Sequence, residues 1–303
     1  MPFKPITRTE LSRRANAARA ALSACRLCPR ECRIDRRAGR RGRCGMDARV
    51  RVASHNLHFG EEPPISGHRG SGTIFFSGCP LSCLFCQNFP ISQRREGREV
   101  EIEELAAMML ELQERGAHNL NLVTPTHYVP QFLEALVQAR GRGFRLPIVY
   151  NSSGYESLET LAWLEGVVAV YLPDLKYGDD AAGRELSGVD DYFTRAGRAI
   201  REIFRQAGPL RTDREGVAVS GVILRHLVLP DNLARSDRVL RFLARAVSTK
   251  LTVSLMSQYF PAHRAAGYPQ LARRLEPAEY MKLVKLAKKL GFQELFIQEI
   301  TDS

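Results

Sequence analysis

The residues with the strongest chemical signature are the seven cysteines, at 25, 28, 32 and 44 and again at 79, 83 and 86, with none in the last two thirds of the 303-residue chain. Cysteines used only as small apolar side chains have no reason to cluster in this way. The second group, in Gly78-Cys79-Pro80-Leu81-Ser82-Cys83-Leu84-Phe85-Cys86-Gln87-Asn88, has the spacing C-x3-C-x2-C. Thiolates are soft ligands that suit zinc or an iron-sulfur cluster, and one compact loop can aim three of them at a single cubane. Three ligands leave one iron of a four-iron cluster open, which is what a catalytic metal needs in order to bind a substrate. The rival readings are a three-cysteine zinc site completed by a histidine, and buried thiols that hold no metal.

Cys25, Cys28, Cys32 and Cys44 supply four more soft ligands, in a segment too small and too polar to fold unaided. A closed four-thiolate site contributes folding free energy itself. The ligand set suits zinc and iron-sulfur equally. Cys28-Pro29 and the neighbouring redox loop tilt the reading towards a second iron-sulfur cluster, and Gly39, Gly42 and Gly45 suit the turns of a ligand loop. Reduced, unliganded thiols are the alternative.

The formal charge of +11 is concentrated in the same region. Residues 1–51 carry 14 arginines and one lysine against four acids, and the rest of the chain balances 29 bases with 29 acids. Such a segment suits RNA or an acidic electron donor, although 37 arginines against 7 lysines also reads as compositional bias. The first 25 residues lack the apolar run of a secretion signal, and no run reaches the ~18 residues of a membrane span. A cytoplasmic location is expected, where structural disulfides are disfavoured.

The elements that must position these cysteines follow from periodicity. Residues 8–24 read as a helix, and 25–51 as a loop-dominated unit. From Gly70 onward strand and helix alternate, with strands expected at 72–77, 118–123, 147–151, 167–172, 217–229, 251–256 and 292–298. Helices are expected at 101–115, 128–139 and 158–163, within 191–206, and at a last helix that starts at Pro277 and stops at Gly291. Parallel strands with helical crossovers give a doubly wound sheet or a βα barrel, and six to seven units in this length suit a partial barrel. The expected domains are a basic helix with a four-cysteine module (1–51) and a partial βα barrel (52–303). The chemistry then belongs at the C-terminal ends of the strands, and the C-x3-C-x2-C loop follows the first of them.

In its cysteine loop the chain resembles the radical S-adenosylmethionine (SAM) superfamily. More widely it resembles the pyruvate formate-lyase activating enzyme (PflX-like) family, through Glu61-Glu62-Pro63-Pro64-Ile65-Ser66-Gly67, Gly70 to Phe76, Cys86-Gln87-Asn88 with Ile91-Ser92, Asn121 to Tyr128, Tyr150 to Tyr155, Asp174 to Tyr177, Arg225 to Pro230 and Met256 to Pro261. The resemblance implies a partial (βα)6-type radical SAM barrel carrying a small N-terminal cysteine-rich metal-binding module. It also implies that Cys79, Cys83 and Cys86 hold a 4Fe-4S cluster whose open iron chelates SAM, and that one electron converts SAM to methionine and a 5′-deoxyadenosyl radical. Phe85 takes the position that packs near the adenine. Thr124 and Thr126 stand where activating enzymes have a Gly-Gly-Glu-type loop for the SAM amino group, so the carboxylate of that loop is missing. Asp174 and Lys176 match an Asp-x-Lys pair beside SAM, with a surface ion pair as the alternative. Asn151, Ser153, Arg225 and His226 are weaker candidates for ribose and carboxylate contacts, and His263 for the substrate pocket or a loop cap.

The implied activity is that of a glycyl-radical-enzyme activase, served by an electron donor such as flavodoxin or ferredoxin. In known activases with extra clusters, the added cysteines follow the SAM loop, whereas here they precede it. Two rival functions are radical modification of a small molecule, peptide or RNA, and a metal-stabilised RNA-binding protein with a non-catalytic barrel.

Overall fold

The computed structural model describes residues 4–299. Ten strands form one sheet: β1 (Val50–His58), β2 (Ser71–Phe76), β3 (Arg98–Val100), β4 (Leu120–Val123), β5 (Ile148–Ser152), β6 (Val170–Pro173), β7 (Arg211–Thr212), β8 (Ala218–Leu227), β9 (Thr252–Met256) and β10 (Leu295–Ile297). Their order is β10-β9-β8-β6-β5-β4-β2-β1-β3, with β7 paired to β8. The seven strands β2, β4, β5, β6, β8, β9 and β10 run parallel, and β1 is antiparallel to both β2 and β3. The path starts at β10 and ends at β3 without closing, as a partial barrel requires.

Ten α-helices accompany the sheet: α1 (Arg8–Ala20), α2 (Pro63–Ser66), α3 (Phe89–Ser92), α4 (Ile102–Glu114), α5 (Val129–Gly141), α6 (Leu158–Leu164), α7 (Asp180–Ser187), α8 (Tyr192–Ala207), α9 (Ser236–Ala246) and α10 (Pro277–Lys289). The crossovers pass through α4, α5, α6, α8, α9 and α10, which gives the expected six βα units. Local chemistry sets the ends. Thr7 Oγ1 accepts from the Glu10 amide at 3.2 Å to start α1. Glu276 and Glu279 form a capping box around Pro277 at α10, and Gly291 follows it at φ +83°.

Side-chain alternation along the strands separates two cores. Ile74, Leu120, Leu122, Ile148, Leu224 and Leu255 belong to the large cluster formed with the helices. Val149, Val170, Leu172 and Ile223 point the other way and join Ile65 and Ala218 in a small inner plug. Two residues further along, the same inward faces carry Asn151, Asp174 and Arg225. The barrel interior therefore changes from apolar to polar towards the C-terminal strand ends.

Several features differ from expectation. The boundary between residues 51 and 52 falls inside β1, and α1 packs on α5 and α6, with Leu11, Ala15 and Ala18 in the main core. The N-terminal helix is thus part of the barrel's outer layer, leaving residues 25–49 as the cysteine-rich segment. Strands β1, β3 and β7 were not expected: β1 mixes charged and histidine side chains into its alternation, β3 has three residues and β7 two. Helix α9 and the four-residue α2 and α3 were also missed, as was α7, which carries Gly183 in its middle. A Cβ there would meet Tyr192 Cβ at 2.6 Å, so close packing of α7 on α8 overrides helix propensity. No helix among the described residues is long and apolar enough to cross a membrane.

Gly154, just past β5, adopts φ +72°, and a Cβ on it would stand 2.1 Å from the Asp174 carbonyl. Gly154→Ala is expected to lower stability by ~1–3 kcal/mol through backbone strain and clash. Urea unfolding of the purified variant against wild type checks this.

Candidate functional site

The loop after β2 carries Cys79, Cys83 and Cys86 and is anchored from several sides. The Gly78 amide donates to Ile91 O at 2.9 Å, Ser82 N to Ser187 O at 3.0 Å, and Leu84 N to Leu186 O at 2.9 Å. Gln93 Nε2 donates to Cys83 O at 3.0 Å, and Arg264 N to Leu84 O at 2.9 Å. The sulfurs are themselves hydrogen-bonded. Ser187 Oγ donates to Cys83 Sγ at 2.9 Å, Leu81 N to Cys79 Sγ at 3.4 Å, and Ser92 Oγ lies 3.2 Å from Cys86 Sγ. Such contacts stabilise thiolate charge and tune a cluster's potential.

The three cysteines line one cavity of about 420 Å³ together with Phe85, Thr124, Asn151, Ser153, Asp174, Lys176 and Arg225. That volume is ordinary for a small-molecule site. Phe85 is held edge-on by Tyr259 and Tyr177, with ring centroids 5.9 and 6.5 Å away. Lys176 pairs with Asp174 at 2.5 Å. Burial works against the Lys176 ammonium, but Asp174 and then Cys83 hold its proton on, and the net shift is upward. Burial, reinforced by Cys83, pushes the Cys79 thiol up. Burial also raises Cys83, with Lys176 pulling the other way. Tyr192 fixes this wall by accepting from Lys176 N at 2.9 Å while its hydroxyl donates to Ser153 O at 2.7 Å. Thr124 adopts φ +58°, a left-handed conformation rare for a β-branched residue, where β4 meets the cavity.

Beneath the cavity lies a charged floor. Arg225 reaches Glu61 at 3.1 Å and Glu62 at 3.1 Å, both carboxylates almost fully buried. Asn121 and Asn151 donate to Glu61 Oε1 at 2.9 and 3.3 Å. Glu62 Oε2, Asn121 Oδ1 and Ser153 Oγ are buried without a hydrogen-bond partner.

Some expected site residues lie elsewhere. Thr126 is fully buried, and its hydroxyl donates at 2.6 Å to Glu156 Oε1. His226 is fully buried between Leu175 O (2.6 Å) and Ser236 Oγ (2.8 Å). His263 stacks on Phe89 at 4.7 Å and touches Gln93, so it caps a loop. Conversely, His58, Glu61, Gln87 and Gln258 line the cavity although no site role was expected of them. Glu61 was visible as half of an acidic pair before Pro63, but charge at a strand-free turn gives no cue that it points into a barrel. Ser187 had no signal, because α7 itself was not read.

Cys25, Cys28, Cys32 and Cys44 gather in the 25–49 segment. Burial pushes the Cys28 thiol up, with Cys44, Cys25 and Cys32 adding to it; burial also pushes the Cys44 thiol up, with Arg36 opposing and Cys25 and Cys32 adding. All seven cysteines are free thiols. Among the described residues, no three His, Cys, Asp or Glu side chains close on a point that would hold a single ion. A cubane is different in kind, since each thiolate binds its own iron.

The superfamily model for radical SAM proteins matches residues 73–210, from within β2 through the cysteine loop to the residue before β7. An uncharacterized protein of Methanocaldococcus jannaschii, MJ0674, is 31% identical over 282 residues, covering 90% of this chain and 76% of that protein. The chain carries a radical SAM superfamily domain. Among solved structures, a radical SAM methyltransferase from Sphaerobacter thermophilus is 13% identical with a TM-score of 0.49 over 75% of this chain and 66% of that one. Streptococcus suis SuiB bound to its precursor peptide SuiA is 12% identical with a TM-score of 0.48 over 70% of this chain and 43% of its own. The chain thus spans less than two thirds of either solved chain.

A radical SAM domain implies a 4Fe-4S cluster and SAM, and the residues present fit both. Three free thiols face the cavity from one loop, an ammonium–carboxylate pair lines the same cavity, and the unpartnered Ser153 Oγ is an acceptor for a donor-bearing ligand.

Glu156 replaces no missing carboxylate in the cavity, but it leaves a measurable mark. It is fully buried, and burial raises its pKa from 4.5 to about 7 against the opposing hydrogen bonds from Thr126 and Tyr150. The folded protein therefore binds this proton more tightly than the unfolded chain, and stability falls as pH rises from about 4.5 to about 7. The loss is on the order of 3 kcal/mol. Glu156→Gln should flatten this part of the stability profile, as read from urea midpoints of both proteins across that window.

Proposed function

We propose that this radical SAM enzyme is an activase-like protein that abstracts hydrogen from a backbone glycine of a partner enzyme. The observation that carries the reading is the convergence of the C-x3-C-x2-C loop, Phe85 and the Asp174–Lys176 pair on one cavity at the C-terminal strand ends. When bound, the cluster and SAM supply the 5′-deoxyadenosyl radical. The chain's own residues do the rest. Cys79, Cys83 and Cys86 hold three irons. Lys176 offers its ammonium to the SAM carboxylate, and Asp174 holds Lys176 in place and faces the ribose or amino group. Phe85 presents an apolar surface to the adenine, and Thr124, Asn151 and Ser153 offer polar atoms around it. Near full-length resemblance to activating enzymes supports a glycyl target. The unclosed sheet also leaves an open side between β3 and β10 for a peptide segment.

A second reading, radical modification of a small molecule, is favoured by the floor of Glu61, Glu62 and Arg225, which suits a polar substrate more than a peptide backbone.

Anaerobic incubation with SAM and dithionite should yield 5′-deoxyadenosine, and Cys79→Ala, Cys83→Ala and Cys86→Ala should each abolish it. Lys176→Met should weaken SAM binding roughly tenfold, about 1.4 kcal/mol, by equilibrium dialysis. With a glycyl-radical partner present, electron paramagnetic resonance (EPR) should show the glycyl doublet. SAM cleavage without that signal across a panel of partners, with deuterium passing from a labelled small molecule into 5′-deoxyadenosine, would establish the second reading instead.

A further inference from the structure

The N-terminal cysteines are packed directly against the catalytic loop. Arg30, between Cys28 and Cys32, donates from Nε to Pro80 O at 2.9 Å and from Nη2 to Gly188 O at 2.6 Å, so it holds the loop between Cys79 and Cys83. A Cβ on Gly78 would stand 2.9 Å from the Cys44 carbonyl and 2.6 Å from Met46 Cγ. With φ +86° as well, Gly78 is where the two cysteine segments come into backbone contact. Standard bond lengths then place the sulfurs of Cys44 and Cys79 no more than about 16 Å apart.

The segment also has a gap between its sulfurs. A Cβ on Gly42 would lie 3.3 Å from Cys32 Sγ and 3.7 Å from Cys44 Sγ, so the absence of a side chain there keeps the space between those thiols clear.

Finally, the segment buries a cation without a partner anion. Arg36 is fully buried. Its guanidinium donates to the Asp47 carbonyl at 3.1 and 2.5 Å and to the His127 carbonyl at 2.5 Å, and it lies 5.7 Å from the Tyr128 ring centroid. Among the described residues no carboxylate lies within ion-pair distance of it. A buried guanidinium served only by carbonyls is costly unless negative charge stands nearby. Four thiolates around a doubly charged metal core carry two net negative charges, beside Cys44, where Arg36 sits.

We infer that Cys25, Cys28, Cys32 and Cys44 hold a second iron-sulfur cluster, with Arg36 as its buried counter-cation, and that this cluster passes electrons to the catalytic one. The inference rests on the catalytic reading above only for the electron's destination. One electron enters from a low-potential, one-electron carrier protein, oxidising the carrier and reducing the N-terminal cluster. The same electron then leaves for the catalytic cluster, restoring the first. The entry face is the partly exposed Cys32 with Arg26, Arg40 and Arg43, exposed cations that have no ion-pair partner among the described residues. The carrier is therefore acidic, and this gives the N-terminal excess of positive charge a role.

The full-length variant Cys79→Ala/Cys83→Ala/Cys86→Ala leaves the N-terminal set untouched and tests it first. After anaerobic reconstitution this variant should retain iron and sulfide in equal amounts and give a reducible EPR signal that SAM does not alter. Binding of zinc alone, or no iron, would overturn the inference. Cys32→Ser in the otherwise wild-type chain should keep SAM cleavage by dithionite within about twofold but lose tenfold or more when reduced flavodoxin is the donor. Equal activity with both reductants would refute the relay. Because dithionite reduces the catalytic cluster directly, failure of SAM cleavage with dithionite in wild type would count against the catalytic reading and not against the second cluster.

Discussion

The constraint on which the rest of the barrel depends is the burial of Arg225 between two carboxylates. Inward faces of β5, β6 and β8 alternate with period two, so a residue two places beyond the apolar plug must either extend the plug or become polar. In this chain it becomes polar, and the cost is offset by mutual pairing. Arg225 meets Glu61 and Glu62, and Glu61 is further satisfied by Asn121 and Asn151. Breaking such a group at one member leaves an uncompensated buried charge, a penalty of about 3–5 kcal/mol. The network therefore locks the β1–α2 turn to three strands that are distant in sequence. It also sets the base of the cavity, because Glu61, Asn151 and Arg225 border it directly.

The parts of this arrangement that were legible in the sequence are those written in local pattern. Apolar strands bounded by glycine, the punctuation of α10 by Pro277 and Gly291, and the spacing of Cys79, Cys83 and Cys86 each depend on a few adjacent residues. The alternation of strand and helix then places the cysteine loop at a strand end. What was not legible depends on long-range contact. Thr126 and Thr124 look equivalent in sequence, yet one turn of 3-10 helix carries Thr126 into the core against Glu156, while Thr124 stays at the cavity in a strained conformation. The roles of Glu61 and Ser187 are set by partners 164 and 104 residues away, Arg225 and Cys83. Neither separation leaves a periodic trace.

The boundary of the N-terminal module shows the same limit from the other side. Its composition differs sharply from the rest of the chain, which suggested a separate unit ending at residue 51. Its packing does not follow its composition. The segment's own apolar cluster is small, formed by Leu22, Cys25 and Leu27 with Trp163 of α6 packed against it. A segment with so little core can hold one conformation only by leaning on its neighbours or by closing around a metal.

Both supports meet at one place. Arg36 donates to the His127 carbonyl, and His127 Nε2 in turn donates to the Ser77 carbonyl at 2.8 Å, two residues before Cys79. A short chain of hydrogen bonds therefore joins the buried cation of one cysteine set to the backbone that presents the other. Burial keeps His127 neutral, with its pKa lowered to about 3 and Arg36 adding to the effect, so this link does not change charge over the physiological range. A fixed link of this kind keeps the separation of the two cysteine loops constant. Here it is built from a neutral histidine, a fully buried arginine and a glycine that lets the two backbones touch.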